Sequence, residues 1–134
     1  MLFGQEHVKE YQRTDGEVGH EWQEGTTTLL LTTTGRKSGK RRTTPLIYRE
    51  HGDDYLIVAS NGGDHQPPGW FLNLQVDPTA HVQVKADKFE ADVRVAGDDE
   101  KPEMWAKMTE VWPHYDEYQA KTDRPIPVVV LQRR

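Results

Sequence analysis

The sequence contains no cysteine among its 134 residues. Disulfides, thiolate-bound metals, iron–sulfur clusters and cysteine nucleophiles are therefore excluded. Long apolar runs are also absent: the longest lie at 29–31 and 128–131, whereas a membrane-spanning helix needs about 20 apolar residues. The chain begins without the basic, apolar and small-residue succession of a secretion signal. We expect a cytoplasmic protein, and peripheral contact with the inner face of the membrane stays an open alternative.

Basic residues are fewer than acidic ones, 17 against 22, which gives a net charge of -5 at pH 7. An acidic chain repels nucleic-acid phosphates, so general nucleic-acid binding is disfavoured. Familiar catalytic motifs are missing too: the sequence has no GxxxxGK[ST], no HExxH and no GxSxG. The six histidines show no pair at metal-ligand spacing. We therefore expect neither a metal site nor a hydrolase.

Length and composition are those of one compact unit. A chain of 134 residues with 34% hydrophobic content can bury one core but not two. We expect a single domain over residues 1–134, in which residues 1–25 form a helical segment that precedes the rest.

Residue patterns predict a mainly β (α+β) fold. Alternating or β-branched stretches predict six strands, at 26–34, 42–50, 55–60, 81–86, 89–95 and 126–132. Pro45 places its strand at an edge or bulge, and Asp87-Lys88 is predicted to form a hairpin turn. Short helices are predicted at 2–14, 68–76, 98–112 and 114–121, the third capped by Asp98 or Asp99. Such closely linked strands favour a closed or split β-barrel of about six strands; an α+β sandwich is the alternative.

The segment GRKSGKRR, residues 35–42, gathers five of the 17 basic residues between two predicted strands. This concentration in an acidic protein indicates either an anion site or a solvated hairpin tip. Glycine-rich turns with Arg and Lys can hold phosphate or carboxylate groups. Aromatic residues in WFLN (70–73) and WPHYDEY (112–118) can stack on a flat ring or simply form core. A flavin-like or nucleotide-like cofactor and a merely solvated turn therefore stay equally open at this point.

The order of several stretches carries a resemblance. LLLTTTGRKSGKRRTTPLIY, IVASNGGD, PGWFLNL and WPHYDEYQAKTDRPIPVVVL resemble the deazaflavin-dependent nitroreductase and quinone reductase family, whose members use coenzyme F420. The segment 6–25 is similar to that family as well, so the resemblance covers nearly the whole chain. It implies a split β-barrel like that of FMN-binding oxidoreductases.

The resemblance also implies an activity. Family members transfer hydride from the reduced deazaflavin of F420H2 to quinone or nitroaromatic acceptors, and we expect the same here, in a monomer or homodimer. The alternatives are a non-catalytic flavin or F420 binder, an FMN-dependent reductase on the same barrel and, more remotely, a small nucleic-acid or acidic-partner module.

Site residues follow from the resemblance, position by position. Cofactor binding is expected of Gly35, Arg36, Lys37, Ser38, Gly39, Arg42, Pro45, Leu46, Ile47, Ala59, Ser60, Asn61, Gly62, Gly63, Trp70 and Asn73. Residues 36–38 would hold the phosphate and first carboxylates of F420, and residues 40–42 the distal tail. Catalytic roles are expected of Tyr115, Tyr118 and Ser60, and the substrate pocket of Ile47, Trp112, Tyr115 and Tyr118.

Three positions depart from the family pattern. Residue 61 is Asn where many relatives have Lys, which would remove one contact to the cofactor's anionic part. Ile47 and Trp112 stand where Tyr also occurs. Both lie on the expected substrate side, so we expect quinone reduction rather than nitroimidazole reduction.

Overall fold

The structure is a computed structural model that describes residues 2–134, with Glu24 described by its backbone only. The described residues form four α-helices, α1 (Gly4–Thr14), α2 (Gly69–Val76), α3 (Lys101–Val111) and α4 (His114–Ala120). They also form seven strands, β1 (Thr28–Thr34), β2 (Arg41–Ile47), β3 (Arg49–His51), β4 (Asp54–Val58), β5 (Thr79–Val84), β6 (Asp87–Val95) and β7 (Val128–Arg133). No helix within residues 2–134 is both long and apolar enough to cross a membrane.

All seven strands belong to one antiparallel sheet in the order β2-β1-β5-β6-β7-β4-β3. The two edge strands, β2 and β3, are consecutive in the chain and are separated by Tyr48 alone. The chain therefore passes directly from one edge of the sheet to the other, which requires the sheet to curl into a barrel that is split between these edges. The prediction of a mainly β fold with short helices is confirmed.

The predicted strand at 42–50 is in fact two strands, which raises the number from about six to seven. Tyr48 interrupts it, because its side chain is buried in the barrel and its N–H donates to the Thr27 carbonyl at 3.2 Å. The edge position of Pro45 is confirmed: it lies on β2 opposite Leu30, and β2 pairs with β1 alone.

The predicted hairpin turn at Asp87-Lys88 is wrong, since both residues already pair with β5. The turn lies two residues earlier, at 85–86. Lys85 adopts a positive φ of 56°, and its N–H donates to the Tyr11 hydroxyl at 2.8 Å. A contact with α1, distant in sequence, therefore fixes the position of this turn.

The predicted caps of the third helix are also wrong. The helix α3 begins at Lys101, and neither Asp98 nor Asp99 caps it. The side chain of the preceding residue, Glu100, instead accepts a hydrogen bond from the Gly97 N–H at 2.8 Å. That bond closes the loop before α3, and the N-cap residue Glu100 makes no side-chain cap bond to the helix.

Apolar side chains alternate between the two faces of the sheet, as the two-residue period of a strand requires. The barrel interior holds Leu29, Leu31, Ile57, Val82, Val129 and Leu131. On the outside, α3 and α4 cover Leu56, Val58, Val128 and Val130, while α1 covers Leu30 with Val8 and Tyr11. Each such burial contributes about 1.5–3 kcal/mol. The helices are therefore held on the outer wall by apolar burial.

Candidate functional site

The cationic turn opens into a cavity of about 410 Å³, which we call the tail cavity. It lies between the end of β1, the start of β2 and the start of α2. Its walls are Thr33, Arg36, Lys37, Ser38, Arg42, Thr44, Gly69, Trp70 and Asn73. Three of these described wall residues are cations and none is a carboxylate, so the cavity suits an anion. Because α2 begins at its wall, the partial positive charge of that helix end adds to the effect.

Arg36 is held in place by Asn73. The Asn73 side-chain oxygen accepts from the Arg36 backbone N–H at 3.1 Å and from Arg36 Nη1 at 3.0 Å. The Asn73 amide nitrogen donates to the Thr33 hydroxyl at 3.1 Å. Asn73 is buried, and with these bonds its amide is used by the protein itself. We infer that Asn73 orients Arg36 rather than binding a ligand directly.

The turn at 35–40 has a shape that its glycines make available. The Gly35 N–H donates to the Lys40 carbonyl at 2.7 Å, and the Gly39 N–H donates to the Gly35 carbonyl at 2.9 Å. A Cβ at Gly35 would lie 2.7 Å from Ser38 Oγ, and Gly39 has a φ of +71°. The two glycines therefore shape the turn without lining the cavity.

A second cavity of about 370 Å³, which we call the ring cavity, lies between α1, β2 and α4. Its walls are Phe3, Gly4, His7, Trp22, Thr28, Thr44, Pro45, Leu46, Ile47, Val58, Ser60, Gly62, Trp112, Tyr115 and Tyr118. None of these described wall residues is Asp, Glu, Lys or Arg. An uncharged wall rich in aromatic side chains suits a flat, neutral ring.

Thr44 belongs to the walls of both cavities, so the two spaces adjoin along β2. Together they offer a cationic compartment next to an aromatic one. A ligand that carries a flat ring at one end and an anionic chain at the other would fit across this junction.

Two tyrosines of α4 lie in the ring-cavity wall. Tyr115 is buried, and its ring meets that of Tyr118 edge-on at 6.1 Å between centroids. Trp112 Nε1 donates to the Tyr118 hydroxyl at 3.3 Å. Neither hydroxyl has an acceptor among residues 2–134, so both O–H groups are available to a ligand.

Burial raises the pKa of Tyr115 well above its usual value, and the nearby Tyr118 adds to the shift. The phenol therefore stays protonated across the physiological range. It can donate a hydrogen bond to a ligand oxygen, but it is a poor source of a free proton at neutral pH.

The loop 59–64 is held by Arg124. Its Nη2 donates to the Ser60 carbonyl at 2.9 Å and its Nε to the Asp64 carbonyl at 2.9 Å. Longer contacts of 3.4 Å reach the Ala59 carbonyl. This one guanidinium therefore fixes both ends of the loop that places Ser60 in the ring-cavity wall.

The same loop depends on glycine at Gly63, which has a φ of +86°. A Cβ there would lie 2.7 Å from the Tyr118 carbonyl oxygen, so only glycine allows the loop to approach α4 this closely. The Asn61 side chain points to the Gln66 carbonyl at 2.9 Å. The Asn61 amide is thus bonded within the loop, and the described walls of the two cavities do not include it.

The structure brings together most of the residues singled out by the sequence. Arg36, Lys37, Ser38, Arg42, Trp70 and Asn73 line the tail cavity. Pro45, Leu46, Ile47, Ser60, Gly62, Trp112, Tyr115 and Tyr118 line the ring cavity. The described walls of the two cavities do not include Gly35, Gly39, Lys40, Arg41, Ala59, Asn61 or Gly63; the side chain of Ala59 lies in the barrel core.

Sequence reasoning missed the part of the wall that the N-terminal segment supplies. Phe3 meets the Trp22 ring edge-on at 5.7 Å, and His7 stacks on Trp22 at 6.4 Å. Trp22 also lies 5.8 Å from Trp112, which joins the segment to the substrate side of the ring cavity. The aromatic character of these positions was a weak signal, because nothing local in the sequence places them beside residues 112–118.

Comparison with known proteins gives a consistent result. The family model described as F420H2-dependent quinone reductase matches residues 3–133. An F420H2-dependent quinone reductase of Mycobacterium tuberculosis is 41% identical over 131 residues, which cover 96% of this chain and 88% of that protein. A second M. tuberculosis protein, named as a putative F420H2-dependent quinone reductase, is 33% identical over 82 residues and covers 61% of this chain and 69% of its own length.

Solved structures agree with the fold. A structure described as a domain-swapped dimer has a TM-score of 0.74 at 37% identity and covers 93% of this chain and 96% of its own. A structure of an F420-H2 dependent reductase, FDR-A, has a TM-score of 0.72 at 40% identity, covering 78% and 93%. A putative pyridoxamine 5'-phosphate oxidase of Listeria innocua, 9% identical with a TM-score of 0.56 over 80% and 83% of the two chains, shows the shared fold alone. These neighbours confirm the split barrel.

Proposed function

The chain belongs to the F420H2-dependent quinone reductase family, and we propose that it catalyses hydride transfer from reduced F420 to a quinone. The observation that carries this proposal is the junction at Thr44. There, a cavity with three Arg and Lys side chains adjoins a cavity whose described wall holds no Asp, Glu, Lys or Arg. F420 combines a flat deazaflavin ring with a phosphodiester and an oligoglutamate tail, so its two ends match the two compartments.

The tail cavity fits the anionic part of the cofactor. Arg36, Lys37 and Arg42 supply positive charge, and Ser38 supplies a hydroxyl. Because Asn73 already holds the Arg36 side chain, less side-chain entropy is lost when an anion binds there. We assign the phosphate and first carboxylates to residues 36–38 and the distal tail to Arg42.

The ring cavity fits the deazaflavin and the acceptor together. Pro45, Leu46 and Ile47 of β2 would border the cofactor ring on one side, and Ser60 with Gly62 on the other. The α4 face, with Tyr115 and Tyr118, would then wall the acceptor. Such an arrangement would exclude water from the reacting atoms and align the two rings, which are the main contributions a protein makes to a cofactor reaction.

Reduced F420, when bound, supplies the hydride. The Tyr115 and Tyr118 hydroxyls, which have no acceptor among residues 2–134, would donate hydrogen bonds to the acceptor oxygen that gains charge as the hydride arrives. Ser60 would give a third polar contact from the opposite wall. Catalysis in this scheme is placement plus stabilisation of developing negative charge.

Nitroaromatic compounds are the second acceptor class that we propose to test. The wall at positions 47 and 112 carries Ile47 and Trp112, so neither position supplies a phenolic hydroxyl for a nitro group. We therefore expect quinones to be reduced faster than nitroimidazoles. A direct comparison of kcat/KM for menadione and a nitroimidazole checks this expectation.

The proposed function is tested by binding and turnover with the same protein preparation. We expect F420 to bind saturably, flavin mononucleotide to bind weakly or not at all, and F420H2 oxidation to require a quinone. Tight binding of flavin mononucleotide without F420 binding would contradict the cofactor assignment. Saturable F420 binding without reduction of any quinone would instead identify a non-catalytic binder.

A further inference from the structure

His7 is a buried histidine in the wall of the ring cavity, with 2% of its surface exposed. It lies on α1, which packs against β2. Its ring stacks against Trp22. None of the cofactor or substrate contacts proposed above uses this imidazole.

Hydrogen bonds determine which of its two ring nitrogens carries a proton. His7 Nε2 lies 2.8 Å from the Gly19 carbonyl oxygen, which can only accept, and 3.3 Å from the Thr28 hydroxyl. The Thr28 hydroxyl already donates its own hydrogen to the Gly19 carbonyl at 2.7 Å, so its oxygen is also an acceptor towards His7. Nε2 must therefore carry a hydrogen in both charge states of the ring.

The other nitrogen, Nδ1, is then the one that gains and loses a proton. The Cδ2–Nε2 edge of the ring faces Gly19, since a Cβ placed there would lie 3.1 and 3.2 Å from those two atoms. The edge with Nδ1 is turned away from that carbonyl. Within residues 2–134, Nδ1 has no hydrogen-bond partner, and since no fully buried side-chain nitrogen there lacks one, Nδ1 keeps some accessible surface.

The surroundings of His7 contain no competing acid or base. The described ring-cavity wall holds no Asp, Glu, Lys or Arg. Packed against the imidazole are Thr28 from β1, Trp22 from the following turn and Tyr11 from α1 itself. Of these only Tyr11 titrates, and burial raises its pKa to about 12, so it stays neutral. On β2, which packs against α1, the charged residues are Arg41 and Arg42, and Arg42 lines the tail cavity.

We propose that His7 is the proton donor of the reaction and acts through Nδ1, an inference that rests on the proposed quinone reductase function. Hydride addition turns the quinone into a hydroquinone anion, and one proton completes the hydroquinone. The imidazolium of His7 gives that proton from Nδ1–H to the quinone oxygen and becomes the neutral Nε2–H imidazole. Solvent then returns one proton to Nδ1, which equals the proton that reduced F420 would lose together with its hydride, so the atoms and electrons balance over each turnover.

The tyrosines and His7 divide the work in this scheme. Tyr115 keeps its proton, because its burial disfavours the phenolate. It can hold the quinone oxygen by a hydrogen bond without giving up the hydrogen. The imidazole has two ring nitrogens, so His7 can keep its contact with the Gly19 carbonyl through Nε2 while Nδ1 gives and regains a proton.

The test replaces the imidazole while keeping the donor to Gly19. His7→Gln retains an N–H group that can reach the Gly19 carbonyl, and it removes the group that titrates. We expect kcat with F420H2 and menadione to fall by about 10- to 100-fold, with F420 affinity unchanged because the tail cavity lies elsewhere. The pH profile of kcat should differ between the wild type and His7→Gln, because the substitution removes the proposed proton donor.

His20→Gln is the matched control. His20 is also a buried histidine, but its Nε2 lies 2.8 Å from the Tyr48 hydroxyl, and it does not belong to the described ring-cavity wall. We expect its kcat and pH profile to follow those of the wild type. Equal losses in both variants would attribute the effect to general loss of packing and would overturn the proposal.

A readout on the wild type keeps the inference testable if a variant does not fold. Identical pH profiles of kcat in the wild type and His7→Gln overturn the proposal, as does a fully active His7→Gln with an unchanged melting temperature. NMR of ¹⁵N-labelled histidines must show the Nε2–H form of neutral His7; the opposite tautomer overturns it too. Failure of the wild type to reduce any quinone would be a failure of the proposed function itself.

Discussion

Replacement of Arg124 by methionine removes a guanidinium that binds backbone carbonyls and keeps an apolar side chain of similar length. Two of the lost hydrogen bonds are short, at 2.9 Å, to Ser60 and Asp64; the contacts to Ala59, at 3.4 Å, are weak. A hydrogen bond from a charged group contributes about 1.5–3 kcal/mol when well shielded. Since Arg124 is half-buried, we take the lower end for each short bond. We expect a loss of about 3 kcal/mol in the free energy of unfolding.

The assay combines thermal unfolding with quinone turnover. A loss of this size lowers Tm by roughly 10 °C in a domain of this length. Arg134→Met is the matched control, because its guanidinium donates at the same distance of 2.9 Å to an exposed carboxylate, that of Asp92. An exposed pair contributes at most about 1 kcal/mol. If Arg124→Met lowers Tm no more than Arg134→Met does, the carbonyl contacts do not hold the loop and the reasoning fails.

Arg124 also has a functional consequence. Ser60 and Gly62 lie in the loop that Arg124 holds and form one wall of the ring cavity. We expect quinone turnover to fall in Arg124→Met even at temperatures where the protein is folded. Arg124→Lys, which can restore one of the carbonyl contacts, should recover part of both losses.

Three further outcomes are expected. Arg36→Ala should weaken F420 binding by about 1–3 kcal/mol in a titration, and wild-type binding should be weaker at high salt. Unchanged affinity would mean that the 35–42 turn does not bind the anionic part of F420. Tyr115→Phe and Tyr118→Phe should each lower kcat about tenfold or more at unchanged F420 affinity. Full turnover in both variants would mean that the two rings only line the cavity and that their hydroxyls have no catalytic role. The Arg94 guanidinium and the Gly97 N–H lower the pKa of Glu100 from 4.5 to about 2. The contribution of ionised Glu100 to the stability of the folded protein is therefore complete above pH 4.5 and lost as pH falls towards 2. In Glu100→Gln, the stability of the folded protein should not show this loss over the same pH range.

Features set by neighbouring residues could be predicted from the sequence. The 35–42 turn joins two strands, as its glycines and flanking β-branched residues indicate. Helical spacing after Pro113 placed Tyr115 and Tyr118 on one wall. Both predictions rest on local geometry, since chain direction at a turn and side-chain direction on a helix follow from a few adjacent residues.

Features set by distant contacts could not be predicted in this way. The hairpin turn moved to Lys85 because Tyr11, 74 residues earlier, accepts its N–H. The strand at 42–50 divided because Tyr48 turns into the barrel core. His7 entered the ring-cavity wall because α1 packs on β2. No periodicity or motif within one segment reports such contacts, and they are the ones that complete the site.

The proposed function assigns cofactor affinity and chemistry to different cavities, and this separation predicts how variants should behave. The tail cavity would bind groups of the cofactor that do not change during hydride transfer. Its cations therefore stabilise the bound cofactor and the transition state equally, and their loss should raise KM for F420H2 at nearly constant kcat. Groups in the ring cavity would act on an acceptor oxygen whose charge changes during the reaction. Their loss should lower kcat, and because Thr44 is the wall shared by both cavities, a bulkier side chain there is the single change expected to disturb both parameters together.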